Sequence, residues 1–94
     1  MHPVEVERCL GEHPLVRECA VLALEDENRL KTLVAFVALH DEQLRGNETT
    51  RTLQTFVKGR LVPYKYPRRV IYMDSLPKTG TGKIDRQALN RMPK

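Results

Sequence analysis

The chain has 94 residues, 40% of them apolar and 30% charged, with a formal net charge of +4. That balance fits one small folded domain with a modest core and excludes a disordered chain. No apolar run approaches the roughly 20 residues that span a bilayer, and Glu5 and Glu7 stand too close to Met1 for a signal peptide, so a cytoplasmic setting is expected.

Residues 3–12 read as a short amphipathic helix. Pro3 suits the first turn, and Glu5 and Glu7 complement the positive end of the helix dipole. Val6, Cys9 and Leu10 recur at helical spacing, and Gly11 marks the stop before His13-Pro14. Residues 18–24 read as a strand and 25–29 as a polar turn. Residues 32–39 form a second strand, apolar on both faces and therefore central. The short connection between the two predicts an antiparallel hairpin.

Residues 41–48, with Gly46-Asn47, read as a loop. Residues 49–61 give the clearest helix, with Leu53, Phe56, Val57, Arg60 and Leu61 on one side. The Arg60 stem can cover apolar surface there. Pro63 ends this helix, and Pro63-Tyr64-Lys65-Tyr66-Pro67 is a stiff extended connection. Residues 69–74 read as a third strand. A glycine-bearing loop follows, and residues 85–91 close the chain as a short helix with Ala88 and Leu89 inward. The order α-β-β-α-β-loop-α predicts a small two-layer α+β domain with a three-stranded, mainly antiparallel sheet.

Cys9 and Cys19 do not make a disulfide framework and read as buried, reduced thiols. His2, His13 and His40 lack metal-ligand spacing, so no metal site is expected. Charge is divided unevenly along the chain. Residues 1–50 hold five Lys/Arg against ten Asp/Glu, whereas residues 51–94 hold eleven against two. The basic half should attract anions such as phosphate, nucleotide or carboxylate.

Within that half, Pro77-Lys78-Thr79-Gly80-Thr81-Gly82-Lys83-Ile84-Asp85-Arg86 concentrates the chemistry. Two glycines and two threonines predict a polar, flexible loop that carries one cation, Lys83, to an anionic site. The spacing refuses a P-loop, because Pro77 stands where the first glycine is needed and Ile84 where Ser or Thr is needed. A lysine ammonium is a compact charge with three donors. It can hold a carboxylate and a phosphate oxygen together; a solvated surface turn is the plainer alternative.

The stretch from Leu76 to Arg86 closely resembles the last core motif of the acyl-adenylate-forming family, which comprises acyl-CoA synthetases, peptide-synthetase adenylation domains and luciferases. Further similarities run in order along the chain: Pro3-Val4-Glu5-Val6-Glu7, His13-Pro14-Leu15-Val16, Ala20-Val21 and Tyr64-Lys65-Tyr66-Pro67-Arg68. The last of these is similar to wording in CoA ligases of aryl and medium-chain acids. The resemblance implies that residues 1–94 are the mobile C-terminal lid domain of an AMP-forming acyl-CoA ligase. The large N-terminal ATP- and acyl-binding domain and the hinge are then absent, and the isolated chain is expected to be inactive.

The same resemblance assigns Lys83 to carboxylate adenylation, on a loop of Thr79, Gly80, Thr81 and Gly82. It implies ATP and CoA as co-substrates, with Mg2+, in the full-length enzyme. Basic residues matching Arg29 and Lys58 lie near CoA phosphates in related synthetases, although Leu30 stands where relatives often have glycine. It also implies acetylation of Lys83 by a GNAT-type lysine acetyltransferase, reversed by a sirtuin deacetylase. Three alternatives remain: a peptide-synthetase adenylation subdomain, suited by Ile84-Asp85-Arg86; a standalone interaction or regulatory domain; and a small basic nucleic-acid-binding module using Tyr64, Tyr66, Arg68 and Arg69.

Overall fold

A computed structural model describes residues 3–25, 27–61 and 66–92. Helix α1 (Pro3–Gly11) leads into strand β1 (Val16–Glu25), which turns back into β2 (Lys31–Leu39). A 3-10 turn at Glu42–Leu44 precedes helix α2 (Asn47–Arg60). Strand β3 (Arg69–Tyr72) and helix α3 (Arg86–Arg91) complete the order. The predicted sequence of elements is therefore observed. Three boundaries move by two residues, the rest by one or none: β1 begins at Val16, α2 begins at Asn47, and β3 stops at Tyr72. The predicted connection at residues 63–65 lies outside the described residues.

The sheet order is β1-β2-β3, which puts β2 at the centre. β1 and β2 pair antiparallel along their length, from Val16 opposite Leu39 to Glu25 opposite Lys31. β3 pairs parallel to β2, from Arg69 opposite Val34 to Tyr72 opposite Val37. A parallel return needs a long crossover, and α2 supplies it.

Burial of β2 on both faces explains its unbroken apolar run: Leu33 to Leu39 are all buried. Side chains alternate along a strand, so its odd and even residues enter different cores. Leu33, Ala35, Val37 and Leu39 meet Val6, Cys9 and Leu10 of α1 and Leu53 and Val57 of α2. Val34, Phe36 and Ala38 face the other way, with Ala20, Leu76 and Leu89. Sheet and long helices thus make the two expected layers, while the residues after β3 cover the reverse face.

The early start of β1 has a local cause. The ladder shifts between Val16 and Glu18, leaving Arg17 unpaired. One inserted residue reverses the alternation, so Val16 and Cys19 share the front core despite their odd spacing. Cys9 and Cys19 are both free and buried, as expected. Burial first, and then the Glu7 carboxylate, pushes the Cys19 thiol up to about 12, so it stays protonated and packs as a small apolar group. His13 is a turn residue: its Nδ1 accepts from the Leu15 N–H at 3.1 Å, and its ring packs edge-on against Phe56 at 4.8 Å.

Candidate functional site

The segment carrying Lys83 is a closed hairpin, which corrects the expectation of a flexible tether. Lys78 and Ile84 form an antiparallel bridge. The Thr79 N–H donates to the Lys83 carbonyl at 2.7 Å, and the Asp85 N–H donates to Pro77 at 2.8 Å. The Gly82 N–H returns to the Thr79 carbonyl at 2.9 Å, closing a tight turn. The Thr79 and Thr81 hydroxyls are 2.9 Å apart and bond to each other. Backbone groups that a loop would leave to water are thus consumed internally.

The two glycines of the turn are not equivalent. Gly82 has φ +85°, in the region that side chains avoid, so its missing Cβ is required. Gly80 has no such φ, and a Cβ there would meet open space. The motif's glycine pair therefore contains one residue that the turn geometry demands and one that it does not.

Apolar anchors hold the hairpin on the reverse face. Leu76 and Leu89 are buried there, and Ile84 packs against them. Charged anchors hold its two legs. Glu18 of β1 accepts from the Leu76 N–H at 2.6 Å and from the Lys78 ammonium at 3.0 and 3.1 Å. Glu7 of α1 receives both arms of the Arg86 guanidinium, at 2.7 and 2.8 Å, and also accepts from the Val21 N–H at 2.9 Å. The Leu76 N–H, and then Lys78, hold the Glu18 carboxyl below the usual carboxylate range against the opposing effect of burial. The forked bond to Glu7 likewise raises Arg86 above its ordinary value. Next to this, the Arg17 guanidinium donates to the Asp74 carbonyl, and Arg45 pairs with the Asp74 carboxylate at 2.7 Å.

Lys83 is exposed at the far end of this frame. Among the described residues its ammonium has no hydrogen bond or ion pair. The contrast with Lys78 is instructive, because both lysines belong to the same motif. One is consumed in fixing the leg of the hairpin, and the other is exposed and unpaired among the described residues.

The remaining two candidates lie elsewhere. Arg29 sits in the β1–β2 turn with φ +61°, an uncommon left-handed conformation for a residue with a side chain. It is exposed and likewise has no partner among the described residues. Lys58 lies in the last turn of α2, whose Leu53 and Val57 fill the front core, so it is separated from the Lys83 hairpin by the sheet.

Lys58 is not a lone charge. Its ammonium lies 4.1 Å from the centre of the Tyr66 ring, and the Arg68 guanidinium lies 4.4 Å from the same ring. Gln54 ties this segment to α2 by donating to the Pro67 carbonyl at 2.9 Å. Arg60 covers Phe56 at 4.3 Å and pairs with Glu12 at 3.1 Å. The sequence offered Lys58 singly, whereas the fold gathers Lys58, Tyr66 and Arg68. The available signal was the Tyr66-Pro67-Arg68 wording just ahead of β3.

Part of the basic half is neutralised within the domain. Arg60, Lys78 and Arg86 are paired with carboxylates of the acidic half, Glu12, Glu18 and Glu7. Among the described residues, no group of three or more His, Cys, Asp or Glu could hold a metal, and no helix is long and apolar enough to cross a membrane.

Comparison with known proteins shows the family of the chain. Residues 5–83 match the model of the AMP-binding enzyme C-terminal domain. The uncharacterized acyl-CoA ligase YtcI of Bacillus subtilis (strain 168) is 45% identical over 95% of this chain and 17% of its own length. The mitochondrial acyl-coenzyme A synthetase ACSM1 of Mus musculus is 46% identical over 93% of this chain and 16% of its own. Among solved structures, a benzoate CoA ligase from Burkholderia xenovorans LB400 is 44% identical, with a TM-score of 0.82 over 95% of this chain and 18% of that one. The chain belongs to the AMP-binding enzyme C-terminal domain family. It spans about a sixth of the length of the relatives it matches.

Proposed function

We propose that this domain supplies the adenylation lysine, Lys83, and a separate CoA-facing surface to an AMP-forming acyl- or aryl-CoA ligase. The observation that carries the reading is an exposed ammonium, without a partner among the described residues, beside the turn of a hairpin whose legs are fixed. In the first half-reaction a carboxylate oxygen bonds to the α-phosphorus of ATP, and the bond to the pyrophosphate leaving group breaks. Lys83 would contact the carboxylate and the α-phosphate oxygens while their charge is redistributed. One preorganised donor of this kind is worth roughly two to three orders of magnitude in rate. ATP, its Mg2+ and the acid bind in the large domain, since this chain offers no pocket motif for them.

In the second half-reaction the CoA thiol attacks the acyl carbon and AMP leaves. Lys83 then has no further role, and the opposite face of the domain serves. Lys58, flanked by Tyr66 and Arg68, presents two cations beside an aromatic ring, a combination suited to a phosphorylated adenine nucleotide. Arg29 in the β1–β2 turn is the second candidate for a CoA phosphate. Placement of Lys83 and Lys58 on opposite sides of the sheet supports a domain that turns between two steps.

Lys83 also meets the requirements of a regulatory acetylation site. It is exposed, it stands in a tight turn, and its charge is its function. Acetylation by a GNAT-type acetyltransferase would remove that charge and stop adenylation, and a sirtuin would restore it. Mass spectrometry after incubation with such an acetyltransferase should find the modification at Lys83. Its absence there would count against the regulatory part alone.

The main test uses a chimera in which this chain replaces the matching domain of the benzoate CoA ligase from Burkholderia xenovorans. Lys83→Ala should slow benzoate-dependent pyrophosphate release by roughly 100- to 1000-fold. Unchanged release would remove Lys83 from the reaction.

A further inference from the structure

Two acidic residues of the N-terminal half take no part in the reading above, yet both are spent on the Lys83 hairpin. Glu7 grips Arg86, just beyond one leg, and Glu18 grips Leu76 and Lys78 on the other. We propose that Glu7 and Glu18 are positioning residues for Lys83, fixing the bearing of its hairpin so that the ammonium arrives within hydrogen-bond reach of the reacting groups. This rests on the assignment of Lys83 to adenylation.

Little else sets the direction of the hairpin. Its own ladder is the single Lys78–Ile84 bridge, and the helix after it, α3, has six residues. Neither is long enough to set a direction. Leu76, Ile84 and Leu89 hold the segment on the sheet, but apolar burial is non-directional. It keeps the hairpin down without fixing where the tip points.

The carboxylates supply that direction. Glu7 meets Arg86 as a two-bond fork, the geometry in which a guanidinium is fixed in plane as well as in distance. The Glu7 and Glu18 side chains are 19% and 21% exposed but Arg86 and Lys78 are 44% and 38%, so water screens these pairs and their contribution is direction rather than much energy. Glu7 is itself pinned by the Val21 N–H, and Glu18 rides on β1 beside the bulge at Arg17. Both legs are therefore referred to one strand of the central sheet. Hydrogen-bonded catalysis tolerates little misplacement: an error of about 1 Å costs on the order of 100-fold.

The test uses the same chimera with Glu7→Gln and Lys78→Met. Glutamine keeps an acceptor for the Val21 N–H and loses the charged fork. Methionine leaves Glu18 bonded to Leu76 and removes the ammonium from it. Each variant should lower kcat for pyrophosphate release about 10- to 100-fold, with KM for ATP and benzoate within about twofold. Thioester formation from preformed benzoyl-adenylate should stay within about twofold.

In a Lys83→Ala background neither variant should lower adenylation further, because a misplaced group that is already absent cannot be missed. Equal losses in both half-reactions, or a full additional loss in the Lys83→Ala background, would mean a merely structural role and overturn the proposal. A large Lys83→Ala effect with none from the clamp variants would overturn the positioning role alone. No effect from Lys83→Ala would take down the reading of Lys83 first, and the positioning role with it.

Discussion

The hairpin of residues 76–86 and the cluster around Tyr66 solve opposite problems with the same residue type. On the hairpin, Lys78 and Arg86 are consumed by carboxylates, and Lys83 has no partner among the described residues. Around Tyr66, Lys58 and Arg68 remain together on one ring, and neither has a carboxylate within bonding distance among the described residues. The first arrangement delivers one charge to one place. The second offers a broader cationic and aromatic surface, better suited to holding a flexible nucleotide than to steering a reaction. The β2-centred sheet separates them, as the proposed use of two faces in two successive steps would need.

This contrast can be attacked from the core outward. The largest expected effect on stability is removal of the reverse-face anchor. Leu89→Ala should cost about 2–5 kcal/mol, measured by urea denaturation, because a fully buried side chain leaves a cavity. Leu53→Ala, equally buried on the front face, should cost about the same and so report on the whole core. The two should differ in function: Leu89→Ala loosens the Lys83 hairpin selectively, whereas Leu53→Ala loosens the seat of α2 and Lys58. Equal functional damage from both would erase the distinction between the regions.

A smaller effect separates the glycines. Gly82→Ala should cost about 1–2 kcal/mol, since the left-handed region is unfavourable to any residue with a Cβ. Gly80→Ala should be close to neutral in the same denaturation experiment, because nothing lies near its added methyl. In the β1–β2 turn the sign reverses. Arg29→Gly relieves an unfavourable φ and should stabilise by up to about 1 kcal/mol while raising KM for CoA if Arg29 holds a phosphate.

Acid provides the subtlest probe. The Glu18 carboxyl lies below its usual range in the folded state, so the unfolded chain binds that proton more readily. Its contribution is therefore fully present above the ordinary carboxylate value of about 4.3 and is lost as pH falls through the lower folded value. Urea midpoints recorded between neutral pH and pH 3 should fall less steeply for Glu18→Gln than for the parent chain. An unchanged slope would show that the clamp at Leu76 and Lys78 stores nothing in that charge.

Much of this was legible in the sequence. The spacing of Val6, Cys9 and Leu10, the apolar run into β2 and the turn before it each specify their element locally. The Leu76–Arg86 wording marked the residue to follow. What escaped was non-local. Glu18 and Lys78 are 60 residues apart, and Glu7 and Arg86 are 79 apart, so no periodicity links them. A tether and a closed hairpin have the same glycines and threonines, and only φ at Gly82 and the Lys78–Ile84 bridge tell them apart. The bulge at Arg17 hid the start of β1 for a similar reason, because one inserted residue breaks the alternation by which a strand is read.

The most direct measurement is a crossed comparison of the two half-reactions in the chimera with benzoate CoA ligase. Lys83→Ala should reduce pyrophosphate release by roughly 100- to 1000-fold and leave thioester formation from benzoyl-adenylate nearly intact. Lys58→Ala should leave pyrophosphate release intact and raise KM for CoA in the second step. If both substitutions impair the same half-reaction, the domain does not divide its work between two faces, and the account given for Lys83 and Lys58 is wrong.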